Sequence, residues 1–279
     1  MQYGFIIPGG DIYTIIEMAR EAEMAGWDGI FYWDGIYIEG MGPMYDPWIA
    51  LAAMAMHTER VRIGAVLTPP SRRRPWKLAR ETATLDHLSN GRLILPIGLG
   101  ALEDGGFTKV GEVTDRKLRA QLLDESLEIL TGLWSGQPFS FQGVHYHVEE
   151  MTFLPPPVQT PRIPIWVVGV WPRKKSMQRA LRYDGLLPSK INADGSGSQV
   201  TPADIQAMKA YIEEHRTQST PFDIVWEGET PGDNPEQASA IIRPYVEAGI
   251  TWWMESRWGS PVRLEEARTR IKQGPPRLD

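Results

Sequence analysis

Apolar and polar positions follow two alternating patterns along the chain. Short apolar runs, typical of buried strands, are separated by longer segments in which apolar residues recur every three or four positions, as on one face of a helix. The run Val61–Leu67 is followed by a helical pattern between Leu78 and Leu88 and then by an apolar strand that ends at Gly98-Leu99-Gly100. Two apolar strands joined by an amphipathic helix predict a parallel βαβ unit.

The same pattern continues through the chain and predicts eight strands, each followed by a helix. The other predicted strands are Tyr3–Ile7, Gly29–Trp33, Ile165–Val168, Gly185–Leu187, Phe222–Glu227 and Ile250–Glu255, and residues 192–200 read as a mobile loop. The segment Pro138–Pro157 breaks the rhythm, and its alternating FSFQGVHYHV predicts a hairpin inserted before the fifth strand. The fold class is therefore α/β, a single (β/α)8 barrel domain over residues 1–279 with a short hairpin-like insertion.

Pro96 does not fit the pattern of buried parallel strands. It lies inside the predicted fourth strand, where a buried parallel strand normally uses every backbone N–H. We therefore expect either a bulge or an early end of the strand at this position.

Composition narrows the classes of function. The chain has 279 residues, a net charge of −6 and no cysteine, which argues against a nucleic-acid partner and excludes disulfides, thiolate zinc sites and cysteine nucleophiles. The pair His145 and His147 does not suffice for zinc, and we expect no metal.

No apolar run reaches the roughly 20 residues that cross a bilayer, and the first residues lack a signal-peptide pattern. A cytoplasmic protein without a membrane partner is the expectation.

In barrels of this type the active site lies at the carboxyl ends of the strands. The segment Gly169–Lys175 is the most informative of these ends, because a strand is followed by a helix whose first turn carries Arg173, Lys174 and Lys175. Cations at the positive end of a helix are locally unfavourable, and a bound phosphate would resolve the conflict. The alternative interpretation is a set of solvated lysines.

Two further strand ends favour a flat ligand. Gly98 and Gly100 allow a ring to approach the backbone closely, and Thr68, held extended before Pro69, suits a rigid wall. The glycines do not form a dinucleotide fingerprint, because Glu103 occupies the third glycine position. The run Arg72-Arg73-Arg74 after the third strand either pairs with acidic neighbours or a partner subunit, or contacts a cofactor phosphate or tail; we favour ion pairing for two of the three.

Asp34 and Glu227 are the candidate catalytic carboxylates. Asp34 ends the second strand and could contact a ring or substrate. Glu227 ends a buried strand, where burial would raise its pKa and suit it to proton transfer. An ion pair between Glu227 and an arginine such as Arg257 is the alternative and the commoner explanation for such a carboxylate.

Four segments resemble the luciferase-like monooxygenase family of flavin- or F420-dependent oxidoreductases. They are AEMAGWDGIFYWD (22–34), residues 59–100, PIWVVGVWPRKKSMQRALRYDGLLP (164–188) and VEAGITWWMESRW (246–258). The resemblance implies a (β/α)8 barrel and a cofactor phosphate near Gly169, Val170, Trp171, Arg173 and Lys174. It also implies an unusual peptide behind the ring near Thr68-Pro69. Many relatives have a histidine directly after the aspartate that corresponds to Asp34, whereas this chain has Gly35, so a mechanism that uses that histidine does not transfer.

The expected function is that of an oxidoreductase with a bound flavin-type cofactor and a small-molecule substrate. Either a hydride passes between the ring and the substrate, or the reduced flavin meets O2 in a dry pocket. We favour FMN, with F420 as the close alternative. A separate flavin reductase and, from the resemblance, a homodimer through the second and third helices are the expected partners. The alternatives are a non-catalytic flavin-binding barrel and a barrel lyase or hydrolase of a phosphorylated small molecule.

Overall fold

The structure of the protein is a computed structural model, which describes residues 1–259 and 262–278. Strands and helices alternate along the chain in the order β1 Gln2–Ile7, α1 Ile12–Met24, β2 Gly29–Trp33, α2 Pro47–His57, β3 Arg62–Val66, α3 Pro75–Leu88, β4 Leu95–Ile97, α4 Gly105–Thr108, α5 Arg116–Trp134, β5 Pro138–Gln142, β6 His147–Thr152, β7 Ile165–Trp171, α6 Lys174–Leu181, β8 Gly185–Ile191, β9 Gly197–Ser198, α7 Pro202–His215, β10 Asp223–Gly228, α8 Pro235–Ala248, β11 Trp252–Glu255 and α9 Leu264–Lys272. A short 3₁₀ turn, Pro70–Arg72, precedes α3.

Eight parallel strands form a barrel. The hydrogen-bonded order is β3-β2-β1-β11-β10-β8-β7-β4, and two isolated parallel bridges, Ile63 to Leu93 and Thr68 to Ile97, join the ends of that order. The antiparallel pair β5–β6 forms a separate two-stranded sheet. The predicted (β/α)8 barrel with a hairpin before its fifth strand is confirmed.

The seam between β3 and β4 accommodates Pro96. Its carbonyl accepts a hydrogen bond from the Thr68 amide at 2.9 Å, so the side of Pro96 that lacks an N–H faces a seam where the ladder is already interrupted. β4 ends at Ile97, one residue after the proline. Of the two predicted outcomes, the structure shows the early end of the strand.

Aromatic side chains fill the inside of the barrel. The inward-facing cluster consists of Ile6, Phe31, Ile94, Trp166, Val225, Trp252 and Met254. Phe31 stacks on Trp166 with ring centroids 5.8 Å apart, and Trp252 meets Trp166 edge-on at 5.2 Å. Each such side chain contributes about 1.5–3 kcal/mol when fully buried. Because this cluster closes the barrel interior, a ligand can bind only above it, at the carboxyl ends of the strands.

The fifth and sixth barrel strands are longer than the sequence indicates. β7 continues to Trp171 and β8 to Ile191, and the expectation of a loop over 192–200 is wrong in part. Gly197 and Ser198 pair antiparallel with Ile191 and Lys190, because a turn closed by the Asn192 amide and the Ser196 carbonyl returns the chain to β8. In the described residues, no helix is both long and apolar enough to span a membrane.

Candidate active site at the strand ends

A cavity of about 890 Å³ opens at the carboxyl ends of β4 and β7. Its inner wall is formed by strand-end residues, namely Leu67, Gly98, Val168 and Val170. Its outer wall is formed by α5 and α6, from their first turns as far as Asp124 and Arg179. Val168 and Val170 point toward the barrel axis, since alternate residues of a strand share a face and Trp166 belongs to the inward cluster. The cavity therefore connects the mouth of the barrel with two helix N-termini.

The outer wall of this cavity is strongly cationic. It carries Arg116, Lys117, Arg173, Lys174, Lys175 and Arg179 against one carboxylate, Asp124. Asp124 is already paired with Arg179, at 2.5 Å, and with Arg182. In residues 1–259 and 262–278 the other five cations form no ion pair.

The first turn of α6 adds backbone donors to this charge. No side chain caps the helix at Arg173, so no side-chain group accepts a hydrogen bond from the amides of its first turn. The Val170 amide, just before the helix, donates a hydrogen bond to the Ser176 hydroxyl at 3.0 Å. Exposed amides and a positive helix end both attract anions. The arrangement can hold a phosphate or a chain of carboxylates.

Five of the predicted cofactor-binding residues line this cavity. They are Gly98, Gly100, Val170, Arg173 and Lys174. A Cβ at Gly98 would lie 2.8 Å from Val168 and 3.1 Å from Leu67. Gly100 has φ +78° and a Cβ there would lie 2.8 Å from Phe107, so only glycine fits this turn without strain. The tight packing of neighbours accounts for both glycines, and their small size also shapes the cavity wall.

The other four predicted residues lie elsewhere. Gly169 faces away from the cavity, where its missing side chain lets Met177 of α6 pack against β7. The Trp171 ring meets Tyr211 of α7 edge-on at 5.8 Å. Thr68 is fully buried at the β3–β4 seam, and Pro69 packs on Gly100. A cis peptide bond that does not involve proline joins Val66 to Leu67, just before the Thr68-Pro69 position implied by the resemblance.

Asp34 lies in a buried ion-pair cluster. Its side chain is 1% exposed, and its carboxylate lies 2.8 Å from Arg72 and 2.8 Å from Arg73. Arg72 also pairs with Asp104, and Arg74 is exposed. Ion pairing of two of the three arginines, as the sequence indicated, is therefore what the structure shows.

Asp104 completes this cluster and was not identified from the sequence. Its carboxylate accepts hydrogen bonds from the amides of Ile36, Tyr37 and Gly106. Burial alone would raise the pKa of Asp104, but the Arg72 guanidinium and these amides outweigh it and lower the pKa. One carboxylate thus fixes the loop after β2 to the loop after β4. In the sequence, the role of Asp104 is indicated only by its position directly before Gly105-Gly106, where it caps α4.

A stacked arrangement connects the cluster to the cavity. The Arg72 and Arg119 guanidinium groups lie 5.1 and 5.2 Å from the centre of the Phe107 ring. Arg119 donates to the carbonyls of Leu99 and Gly100 at 2.9 and 3.1 Å. The loop that forms the cavity wall is therefore held in place by buried arginines.

Glu227 points into the barrel mouth, two residues beyond the inward-facing Val225. Its carboxylate accepts a hydrogen bond from the Trp258 indole. Burial raises the pKa of Glu227, and hydrogen bonds from Trp258 and Ser256 only partly offset this. Arg257 instead donates to the Thr230 carbonyl at 3.0 Å and lies 3.7 Å from Glu255. The alternative of a Glu227–Arg257 ion pair is wrong, because Arg257 follows the buried Glu255 on the outer face of β11.

The chain belongs to the luciferase-like monooxygenase family, whose model matches residues 4–274. Two curated relatives that match along most of this chain are F420-dependent glucose-6-phosphate dehydrogenases. The protein from Nakamurella multipartita is 25% identical over 92% of this chain and 77% of its own. The protein from Amycolatopsis mediterranei is 26% identical over 85% and 86%. A third, from Microbacterium testaceum, is 35% identical, but the match spans 55% of this chain and 46% of that protein.

Solved structures share the fold. An F420-dependent secondary alcohol dehydrogenase in complex with an F420-acetone adduct superposes with a TM-score of 0.79 at 17% identity, over 99% of this chain and 98% of that one. Monooxygenase RslO1 from Streptomyces bottropensis superposes with a TM-score of 0.78 at 18% identity, over 98% and 97%. An FMN complex also has this fold. The preference for FMN is not supported over F420, because the similar curated enzymes named above are F420-dependent.

Proposed function

We propose that this protein is an F420-dependent oxidoreductase that catalyses hydride transfer between F420 and a small organic substrate. The single observation that carries the proposal is the cavity at the ends of β4 and β7, with an apolar inner wall and, on its outer wall, five cations that have no ion-pair partner among the described residues. The F420-dependent curated relatives support the same choice.

The charge on the outer wall of the cavity favours F420 over FMN as its ligand. FMN ends in a single phosphate, whereas F420 continues from its phosphate into a tail of glutamates. Arg173, Lys174 and Lys175 at the start of α6 suit the phosphate, and Arg116 and Lys117 at the start of α5 offer charge for further carboxylates. A row of cations is more than one phosphate requires, and it matches a longer anionic tail.

The chain's own residues take distinct roles in this proposal. When bound, the cofactor supplies the hydride acceptor or donor. Leu67, Gly98 and Val168 would form the apolar wall beside its ring. Glu227 would accept or deliver the substrate proton, for which its raised pKa suits it. Asp34 would act as a positioning residue, because it holds Arg72 and, through Phe107 and Arg119, the cavity-wall loop.

Parallel titrations with oxidised F420 and with FMN, followed by cofactor fluorescence and calorimetry, test the proposal. We expect saturable binding of F420, at least 10-fold tighter than that of FMN. Tighter binding of FMN would contradict the choice of cofactor. Binding of neither, with binding of a phosphorylated sugar in the same cavity, would favour the barrel lyase or hydrolase.

We also propose a homodimer through α2 and α3. On α2 the side chains of Ile49 and Met56 are 69% and 65% exposed, which is typical of apolar groups that a partner covers. Sedimentation analysis would test this.

An F420 enzyme that reduces its cofactor with its own substrate needs no separate flavin reductase, so that partner is proposed only if FMN proves to be the cofactor.

A further inference from the structure

The barrel mouth has two chemically different sides. Along β7 it borders the cationic cavity, which the proposed function assigns to F420. Along β8, β10 and β11 it carries Ser189, Glu227 and Ser256, each two residues beyond a member of the inward cluster or a residue packed against it. Since Val170 is in register with Ser189, the two sides are adjacent, and a substrate beside the ring would lie on the second side.

Two tryptophans cover this second side. The Trp33 indole donates to the Pro8 carbonyl at 3.1 Å, and its ring meets that of Trp258 edge-on with centroids 6.4 Å apart. Trp258 in turn donates to Glu227, yet its side chain remains 43% exposed. Val66 and Leu187, which pack against the inward cluster, form the base. Tryptophan rings and an apolar base therefore surround two serine hydroxyls and one carboxylate, which is the charged group of this side among the residues that the structure describes.

The cations near this side are already neutralised. Lys190 lies 2.9 Å from Asp204. Arg257 and the buried Arg270 lie 3.7 and 3.5 Å from Glu255 on the outer face of β11. In the part of the chain that the structure describes, these strand ends thus offer a phosphorylated substrate no unpaired cation. A phosphate placed here would also face Glu227, and burying two like charges without a cation is costly.

We infer, on the basis of the proposed function, that the substrate is an uncharged alcohol or the matching carbonyl compound, and not a sugar phosphate such as the relatives' glucose 6-phosphate. Glu227 is the catalytic acid–base. In the oxidative direction the hydroxyl proton would pass to a Glu227 carboxylate oxygen, and the carbon that bears this hydroxyl would give its hydride to oxidised F420 when it is bound. The C–O single bond would become a carbonyl, and the two electrons lost by the substrate would go with the hydride to the cofactor.

Binding to the F420-loaded protein tests this inference. Loading first occupies the cationic cavity, so that a phosphate compound can bind only at the barrel mouth. The affinity for F420, measured in the same titration, tests the proposed function separately; if F420 does not bind, the alcohol titration is run on the cofactor-free protein. The probes are cyclohexanol, glucose 6-phosphate and inorganic phosphate, followed by calorimetry and by tryptophan fluorescence.

We expect cyclohexanol to bind saturably and to change the tryptophan emission, and neither phosphate compound to bind beyond a matched salt control. Trp258→Ala should weaken cyclohexanol binding by at least 10-fold and change F420 affinity less than 2-fold. Trp76→Ala, at a similarly exposed tryptophan on α3, is the matched control and should change neither. Saturable binding of glucose 6-phosphate to the loaded protein, or no saturable binding of cyclohexanol, would overturn the inference.

Discussion

The cluster around Arg72 and the rim between β7 and β10 both follow strand ends of one barrel, and both carry several charges. In the cluster, Asp34 and Asp104 compensate Arg72 and Arg73. On the rim, Lys174 and Lys175 have no carboxylate partner in the described structure, and Glu227 has only neutral hydrogen-bond partners. Charged side chains that are paired with one another therefore stabilise the fold, whereas those without a charged partner are available to bind a ligand.

The largest expected effect is at the unpaired carboxylate. Glu227→Gln keeps the shape of the side chain and should lower kcat by about 10²–10⁴-fold, the usual contribution of a general acid or base. In the oxidative direction, the kcat/KM of the wild type should fall as the pH falls through the raised pKa of Glu227, and the variant should lack this dependence. Initial rates across the pH range measure both.

The same substitution should raise stability near neutral pH. A carboxyl whose pKa is raised by folding resists ionisation in the folded state, so ionising it costs stability above its unfolded pKa. Urea unfolding should show Glu227→Gln to be more stable than the wild type at neutral pH, and the difference should vanish in acid. A variant that loses activity and stability together would indicate a structural role for Glu227.

These contrasts show how much the sequence could predict. The barrel follows from eight alternations of strand and helix, and the cationic helix start was visible because three basic residues directly follow a strand. Ion pairing in the arginine run was expected, but the partners of Arg72 were not visible, because Asp34 and Asp104 lie 38 and 32 residues away in the chain. Gly169 and Trp171 were assigned to the site because the strand was expected to end at Val168. Since it continues to Trp171, alternation turns both residues outward.

In the paired cluster, Arg72→Ala should destabilise the protein by about 3–5 kcal/mol, because it leaves two buried carboxylates without their shared cation. Below neutral pH the wild type should lose part of its stability as the pH falls through the lowered pKa of Asp104; in the variant this loss should shift to higher pH. Urea unfolding at several pH values measures both effects. Arg74→Ala, at the exposed end of the same run, is the matched control and should change stability by less than about 0.5 kcal/mol.

On the unpaired side, reversal of charge at α6 should affect binding and not folding. The double variant Lys174→Glu and Lys175→Glu should weaken F420 binding by about 10–100-fold, since a hydrogen bond to a charged group contributes about 1.5–3 kcal/mol, and should leave the midpoint of urea unfolding nearly unchanged. The double variant Arg20→Glu and Arg243→Glu, on exposed faces of α1 and α8, makes the same change in net charge and is the matched control. Equal weakening by both variants would remove the case for a specific site.

The smallest effect is expected at Trp171. Its ring packs against Tyr211 outside the cavity, so Trp171→Phe should change F420 affinity by less than 2-fold. A fluorescence titration measures this. A loss of 10-fold or more would return Trp171 to the cofactor site that the sequence assigned to it.

The most direct test of the central claim, that unpaired cations at the starts of α5 and α6 hold an anionic tail, is to titrate F420 and its ribityl 5-deazaflavin, which lacks the phosphate and the glutamates, side by side at increasing salt concentration. We expect F420 to bind at least 10-fold more tightly at low salt and to lose this advantage as salt screens the cations. Equal affinities for the two compounds at every salt concentration would contradict the assignment of the cavity to the F420 tail.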